Sequence, residues 1–469
     1  MENTPFDNDA AKPSIIERYE SLSHAEDHVY LEIDDLERIV LHYLQTDNLQ
    51  RALKVAEQGI AQHYYNFVAH KLKASVLLSL QHYDHALETI KVAQGLAPAE
   101  LELLLLEIEC IALQGNEMEA IGRLNVLEME HKDLELIDIL FTKSNIYERK
   151  SDFDSMFDNL SAILALAPTY APALERIWFS VELSGRYEES VALHQNLIDE
   201  QPYNHLAWYN LGHAYTCLED FDNALMAYEY SFLVNEKFEF GYRDFADLLI
   251  LTGAYKDALE ILIEIKSKFG QDAEVHLNMG QCYLQLNQFE KAKRCLIKAK
   301  EFDPLDSKTY FQLGLCELAG NRLESSIYYL SIATELDNLK EEYFEALSSV
   351  YLLKGSFEMA INALLQAIEI APENSKYTID LTKLYVELFE YDKAYKLLLN
   401  AKENLNNPEI GYCLAITQIL RGEETKGINA LKFLLCENFE AHSIIMELNI
   451  PERLESLVCD TIHAFTPKG

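Results

Sequence analysis

Residues Trp208–Asn235 read WYNLGHAYTCLEDFDNALMAYEYSFLVN. Two small residues within it, Gly212 and Ala224, stand twelve apart, and Phe221 lies three before the alanine. This arrangement recurs along the chain at a spacing of 34 residues. The small column continues through Ala52, Ala86, Ala120, Ser190, Ala258, Ala292, Ser326, Ala360, Ala394 and Gly427, broken by Met156. The bulky column continues through Leu49, Tyr83, Phe153, Tyr187, Tyr255, Phe289, Leu323, Phe357 and Tyr391, with Glu117 and Glu424 as exceptions. The column of Gly212 holds Ala74, Ser144, Ala246, Gly280, Gly314, Ser348, Thr382 and Ala415, but larger residues at Val40, Ile108 and Trp178. Prolines keep the same clock: Pro168 and Pro202 are 34 apart, Pro202 and Pro304 are 102 apart, and Pro304 and Pro372 are 68 apart.

A 34-residue cycle accommodates two helices of about 13 residues and two short turns. Small residues at both columns let the paired helices approach closely, and the bulky residue wedges beside the crossing. Proline, which has no N–H to continue a helix, ends the second one. Glycines at Gly115, Gly185, Gly253 and Gly355 permit the turn between helices. The expected fold is therefore all-α, an array of helix-turn-helix units.

At these residues the chain resembles the tetratricopeptide repeat family. Trp208–Asn235 is one close match, and His276–Pro304, HLNMGQCYLQLNQFEKAKRCLIKAKEFDP, is a second. Twelve units are expected, starting near Ile33, Phe67, Leu101, Ile137, Ala171, His205, Glu239, Ala273, Ser307, Glu341, Ser375 and Pro408. The register gains two residues around His131–Leu134 and loses one around Asn406–Asn407. The expected domains are an acidic, partly disordered segment over 1–32, the array over 33–440, and a capping helix and tail over 441–469. The resemblance implies a right-handed superhelical α-solenoid whose first helices line a concave groove.

Positions 4, 7, 8 and 11 of each first helix form its packed face, and positions 2, 5, 9 and 12 fall opposite. By the resemblance, this second face is where a partner docks. Across units four to seven it offers Phe141, Asn145, Phe179, Tyr209, His213, Phe240, Arg243 and Asp247, rings interleaved with donors and acceptors. Such a mixture suits an extended peptide: the rings supply area and the polar groups satisfy its backbone. Arg243 and Asp247 are four apart and are equally able to form a local ion pair. In units eight and nine the same columns carry Leu277, Leu284, Phe311, Leu315 and Leu318, either packing against the next unit or forming an apolar strip for a partner helix or second copy. The carboxylate clamp with which some members of the family hold chaperone tails is absent: Lys71 is followed by Ser75, and Leu105 and Glu109 stand at the corresponding columns of the next unit.

Composition narrows the function. The 469 residues include 39 Lys and Arg against 77 Asp and Glu, a net charge of −38. That surface repels phosphate backbones and anionic headgroups, so nucleic acid and membrane are not the expected partners, whereas a basic or neutral protein segment is. No basic and apolar leader opens the chain, and the eight cysteines form no CxxC pair, so cytoplasmic location and buried, reduced thiols are expected. No phosphate-binding glycine loop, zinc-protease or nucleophile-elbow motif occurs. His82, Asp84 and His85 are expected to be ordinary surface residues. No cofactor, metal or catalytic residue is assigned. The expected function is a non-catalytic scaffold or adaptor, with a self-associating or fixed structural subunit as the alternative and a peptide-responsive sensor as the weakest option.

Overall fold

The computed structural model describes residues 15–16, 19–20, 30–405 and 407–465. The expectations for the rest of the first 32 residues, and for the tail after Phe465, lie outside the described residues. Twelve helical hairpins follow one another from Ile33 to Glu437. Their first helices begin at Ile33, Phe67, Leu101, Asp133, Ala171, His205, Glu239, Ala273, Ser307, Glu341, Ser375 and Pro408. Only the fourth departs from the expected start. It opens at Asp133 rather than Ile137 and runs 17 residues to Arg149, because the two added residues and two more from the connection before it are taken up as an extra N-terminal turn. Every second helix begins at the bulky column, including those opened by Glu117 and Glu424. The fold is an α-solenoid.

The chain divides into two compact units, Met1–Gly241 and Tyr242–Gly469. In the first, the first helices of hairpins one, two, three and five each touch that of the next hairpin; in the second, the same holds for hairpins eight, nine and eleven. The first helices thus form the closer-packed side of each stack.

The small columns do the work expected of them. Ala52, Ala86, Ala120, Ala224, Ala258, Ala292, Ser326, Ala360 and Ala394 are all fully buried. A Cβ added at Gly280 would lie 2.6 Å from Leu296, and one at Gly314 would lie 2.6 Å from Leu330, so these crossings have no room for a methyl group. Met156, large at a small column, is fully buried in a cluster with Ile137, Leu140 and Phe157. Trp178 behaves differently. An indole cannot enter such a crossing, and the two helices of the fifth hairpin barely touch. The ring turns sideways, donating Nε1–H to the Glu175 carbonyl at 3.0 Å and lying 5.8 Å from the Phe179 ring.

The turns between first and second helix share a backbone conformation, and all but that of the fifth hairpin are closed in one way. A residue at positive φ follows the helix: Asp47, Gln81, Gly115, Ser151, Gly185, Glu219, Gly253, Asn287, Asn321, Gly355, Phe389 and Gly422. The next N–H then reaches back to a carbonyl five residues earlier, as in Asn48 to Tyr43 at 2.8 Å, His82 to Leu77 at 2.8 Å and Gln288 to Tyr283 at 2.8 Å. This is the Schellman closure, and it satisfies carbonyls the helix end would otherwise leave bare. In the fifth hairpin the Gly185 N–H bonds the Val181 carbonyl at 2.9 Å instead.

The expected capping region begins with a 3-10 helix, Glu440–Glu447, followed by a helix over Glu452–Phe465. Ile444, Ile445, Leu448, Val458 and Ile462 close over Ile410, Tyr412 and Ile416 of the last hairpin, covering an apolar end. Among the described helices none is long and apolar enough to cross a membrane. The expectation of buried thiols needs correction. Cys110, Cys282, Cys316 and Cys413 are buried, Cys217, Cys295 and Cys459 are partly so, and Cys436, in the last turn of the final second helix, is exposed.

Candidate protein-binding face

Within the first compact unit, the candidate residues extend over successive first helices. Phe141 is covered by Arg176, whose guanidinium carbon lies 5.2 Å from the ring centroid, and it meets Tyr170 edge-on at 5.9 Å. The same arginine donates to Asn145 and to Glu148, so Asn145 is already engaged by the next hairpin. Phe179 stands between Phe153, at 5.5 Å, and Trp178. Trp178 continues the row to His213 at 5.6 Å, and His213 Nε2 is 3.9 Å from a Glu182 carboxylate oxygen.

Tyr209 lies 5.7 Å from Tyr228 and meets Phe238 edge-on at 5.2 Å. Phe238 in turn meets His205 at 4.8 Å and Phe240 at 6.0 Å. Phe240 is 65% exposed. The result is an aromatic platform, anchored at Tyr228 and open at Phe240. Burial lowers the His205 pKa, so its ring stays uncharged near pH 7.

In the second compact unit, Arg243 pairs with Asp272 at 2.5 Å and Glu274 at 2.8 Å. Asp247 accepts from Asn278 at 2.7 Å. Its side chain reaches solvent, but the surrounding protein displaces part of its hydration. That desolvation, with the Glu274 and Asp244 carboxylates nearby, pushes its pKa up to about 6. Of the apolar candidates, Leu277 and Leu284 pack on the cluster of Ala292, Leu296, Leu313 and Cys316. Phe311 and Leu318 pack on Leu330, Leu347 and Val350, Phe311 stacking on Tyr343 at 4.7 Å. Leu315 is half-buried.

A rule absent from the sequence reading links these contacts. Position 5 of one first helix pairs with position 2 of the next, 31 residues on: Lys71 with Glu102 at 2.6 Å, Arg243 with Glu274 at 2.8 Å, and Glu345 with Lys376. Position 9 pairs with position 6 of the next: Asn145 with Arg176, and Asp247 with Asn278 at 2.7 Å. Stacked first helices are offset by about one turn, so the partner stands three residues short of the 34-residue period. Opposite charges at a separation of 31 were the signal that would have found these pairs. Lys71, at the place of a clamp lysine, is held between Glu37 at 3.7 Å and Glu102. Arg176, Trp178 and Phe238 were also missed. Arg176 stands at position 6, Trp178 departs from a small column, and Phe238 lies in an inter-hairpin turn, all away from the four columns read for a partner.

His82 and His85 meet edge-on at 6.3 Å, and among the described residues no three histidine, cysteine or acidic side chains converge as a metal site.

Models of the tetratricopeptide repeat match residues 205–236, 249–313 and 341–374. No curated protein matches the chain. Among solved structures, YrrB, described as a TPR protein with an unusual peptide-binding site, is 20% identical, covers 39% of this chain and 95% of its own, and has a TM-score of 0.32. The Cut9–Hcn1 hetero-tetramer of APC/C is 13% identical over 93% of this chain and 90% of its own, with a TM-score of 0.41. A tetratricopeptide repeat protein from Parabacteroides merdae is 15% identical over 53% and 98%, with a TM-score of 0.43. With its hairpins, its closed turns and three matched stretches, this chain is a tetratricopeptide repeat protein.

Proposed function

We propose that this protein is a non-catalytic scaffold that holds a peptide or helical segment of a partner protein on the first-helix face of its repeats. The observation that carries the reading is the platform of Tyr209, Phe238 and Phe240, built from packed rings yet open to solvent at Phe240. Exposed aromatic area on a rigid base costs little side-chain entropy when it is covered, which is what a peptide site needs. His213, Phe179, Phe141 and Asn145 extend the same face within the first compact unit. In the second, Arg243 and Asp247 occupy the corresponding columns and are proposed as contact residues there. A net charge of −38 favours a basic or neutral partner. Tetratricopeptide repeats in general serve protein–protein interaction and are non-catalytic, which agrees with this reading.

The test is affinity enrichment from native lysate, followed by binding measurements on the partner identified. Tyr209→Ala with Phe240→Ala is expected to weaken that partner about 10- to 100-fold, the range for interface aromatics. Undiminished binding by the double variant, with helix content unchanged, would remove the platform from the mechanism. Capture of nothing but the chain itself would favour the self-associating subunit.

A further inference from the structure

The second helix of the sixth hairpin, Phe221–Val234, carries a stripe that its own fold does not use. Asp222, Met226, Glu229, Tyr230 and Leu233 recur at helical spacing and share one side. Met226, Tyr230 and Leu233 are 44%, 45% and 61% exposed, and both carboxylates are exposed. Tyr230 is held in place: Trp208 stacks on it at 4.7 Å with 25° between the rings, and the indole Nε1–H donates to the Pro202 carbonyl at 2.9 Å. The repeat does not require apolar residues here, because the eighth hairpin has Arg294, Lys298 and Glu301 at the positions of Met226, Tyr230 and Glu229's neighbour Leu233. Single exposed apolar side chains need no explanation, but a contiguous stripe backed by a fixed ring pair does.

Charge identifies the occupant. From Tyr187 to Glu236 the chain has no lysine or arginine, while it has nine acidic residues, Glu188, Glu189, Asp199, Glu200, Glu219, Asp220, Asp222, Glu229 and Glu236. We propose that this stripe docks an arginine-bearing amphipathic segment of a partner protein, on the outer side of the hairpin and independently of the first-helix face. A guanidinium stacks on the outward face of Tyr230 and pairs with Glu229 or Asp222, which an ammonium cannot do as well. Apolar side chains of the segment cover Met226 and Leu233, the flexible thioether adapting to their shape. A phosphate-bearing or acidic surface is repelled from the same stripe.

The chain has two tryptophans, so Trp178→Phe leaves Trp208 as the sole indole, beside the site, and excitation at the red edge of the absorption band, beyond tyrosine, reports it alone. The probe is a synthetic helical peptide of about 18 residues, long enough for five turns, with arginine on one side and leucine on the other. Its control carries glutamate in place of arginine. The arginine peptide is expected to shift Trp208 emission saturably, and the glutamate peptide to leave it unchanged. Met226→Ser with Leu233→Ser spares the ring pair and is expected to weaken binding at least about tenfold. Asp222→Lys with Glu229→Lys is expected to reverse the preference between the two peptides. Tyr209→Ala with Phe240→Ala is expected to leave the shift intact, which separates this site from the first-helix face. No saturable shift, equal response to both peptides, or undiminished binding by the serine variant would each overturn the proposal. So would emission that moves with protein concentration alone, because a second copy would then be the occupant.

Discussion

At each of the twelve turns between paired helices, one residue adopts positive φ, and seven of these residues are not glycine. Gln81, at φ 61°, is exposed, and its backbone N–H donates to the Leu78 carbonyl at 2.9 Å. A side chain in this conformation costs about 1–2 kcal/mol, and glycine's greater freedom when unfolded gives back about 0.5–1 kcal/mol of that. Gln81→Gly should therefore stabilise the protein by about 0.5–1 kcal/mol, read as a rise in thermal midpoint; a fall would mean the glutamine has a favourable role in the turn. Gly280 is the opposite case. Gly280→Ala places a methyl group 2.6 Å from Leu296 at a helix crossing. It should destabilise by about 1–3 kcal/mol despite alanine's better helix propensity, and an unchanged denaturation midpoint would show that Leu296 can swing aside.

Between elements, the group under most constraint is Glu317 in the first helix of hairpin nine. Its side chain is fully buried and pairs with Lys293 at 2.6 Å and with Arg322, both on adjoining segments. Burial alone would raise its pKa, but hydrogen bonds and charge from Arg322 and Lys293 overcome this and hold it below the ordinary glutamate range. A depressed carboxylate contributes stability that is present above its unfolded pKa, about 4.3, and is lost as pH falls through the folded value. Glu317→Ala should cost about 3 kcal/mol, the low end for a broken buried pair, because both cations still reach water. It should also flatten the acid side of the stability profile below about pH 4.3; an identical profile would show that the pair holds no linked proton. Hydrophobic periodicity revealed Glu317's helix but not its partners. Hairpin four shows a related limit: the two added residues were visible as a register slip, but not that they would extend the helix back to Asp133 with Leu134 left exposed.

For the whole molecule, the excess of 38 negative charges competes with many exposed ion pairs. Such pairs contribute about 0–1 kcal/mol each and are screened by salt, as is the repulsion among carboxylates without a partner. With 77 acids against 39 cations, repulsion outnumbers pairing, so raising NaCl from about 0.02 to 0.5 M should raise the thermal midpoint. A falling midpoint would show that the ion pairs between hairpins carry the net electrostatic stability. The sequence alone determined the period, the helix pairs, the small crossings and the positions of the turns. Those features repeat because every hairpin meets nearly the same neighbours, so local pattern and tertiary need coincide. Tertiary structure alone decided that Arg243 turns to Asp272 and Glu274, that Arg176 covers Phe141, that Trp178 leaves its crossing, and that Tyr230 and Cys436 face solvent. The physical reason is that a side chain's partners across hairpins depend on how far one helix slides along the next. That offset is set by the packing of whole surfaces, and no period within a single helix records it.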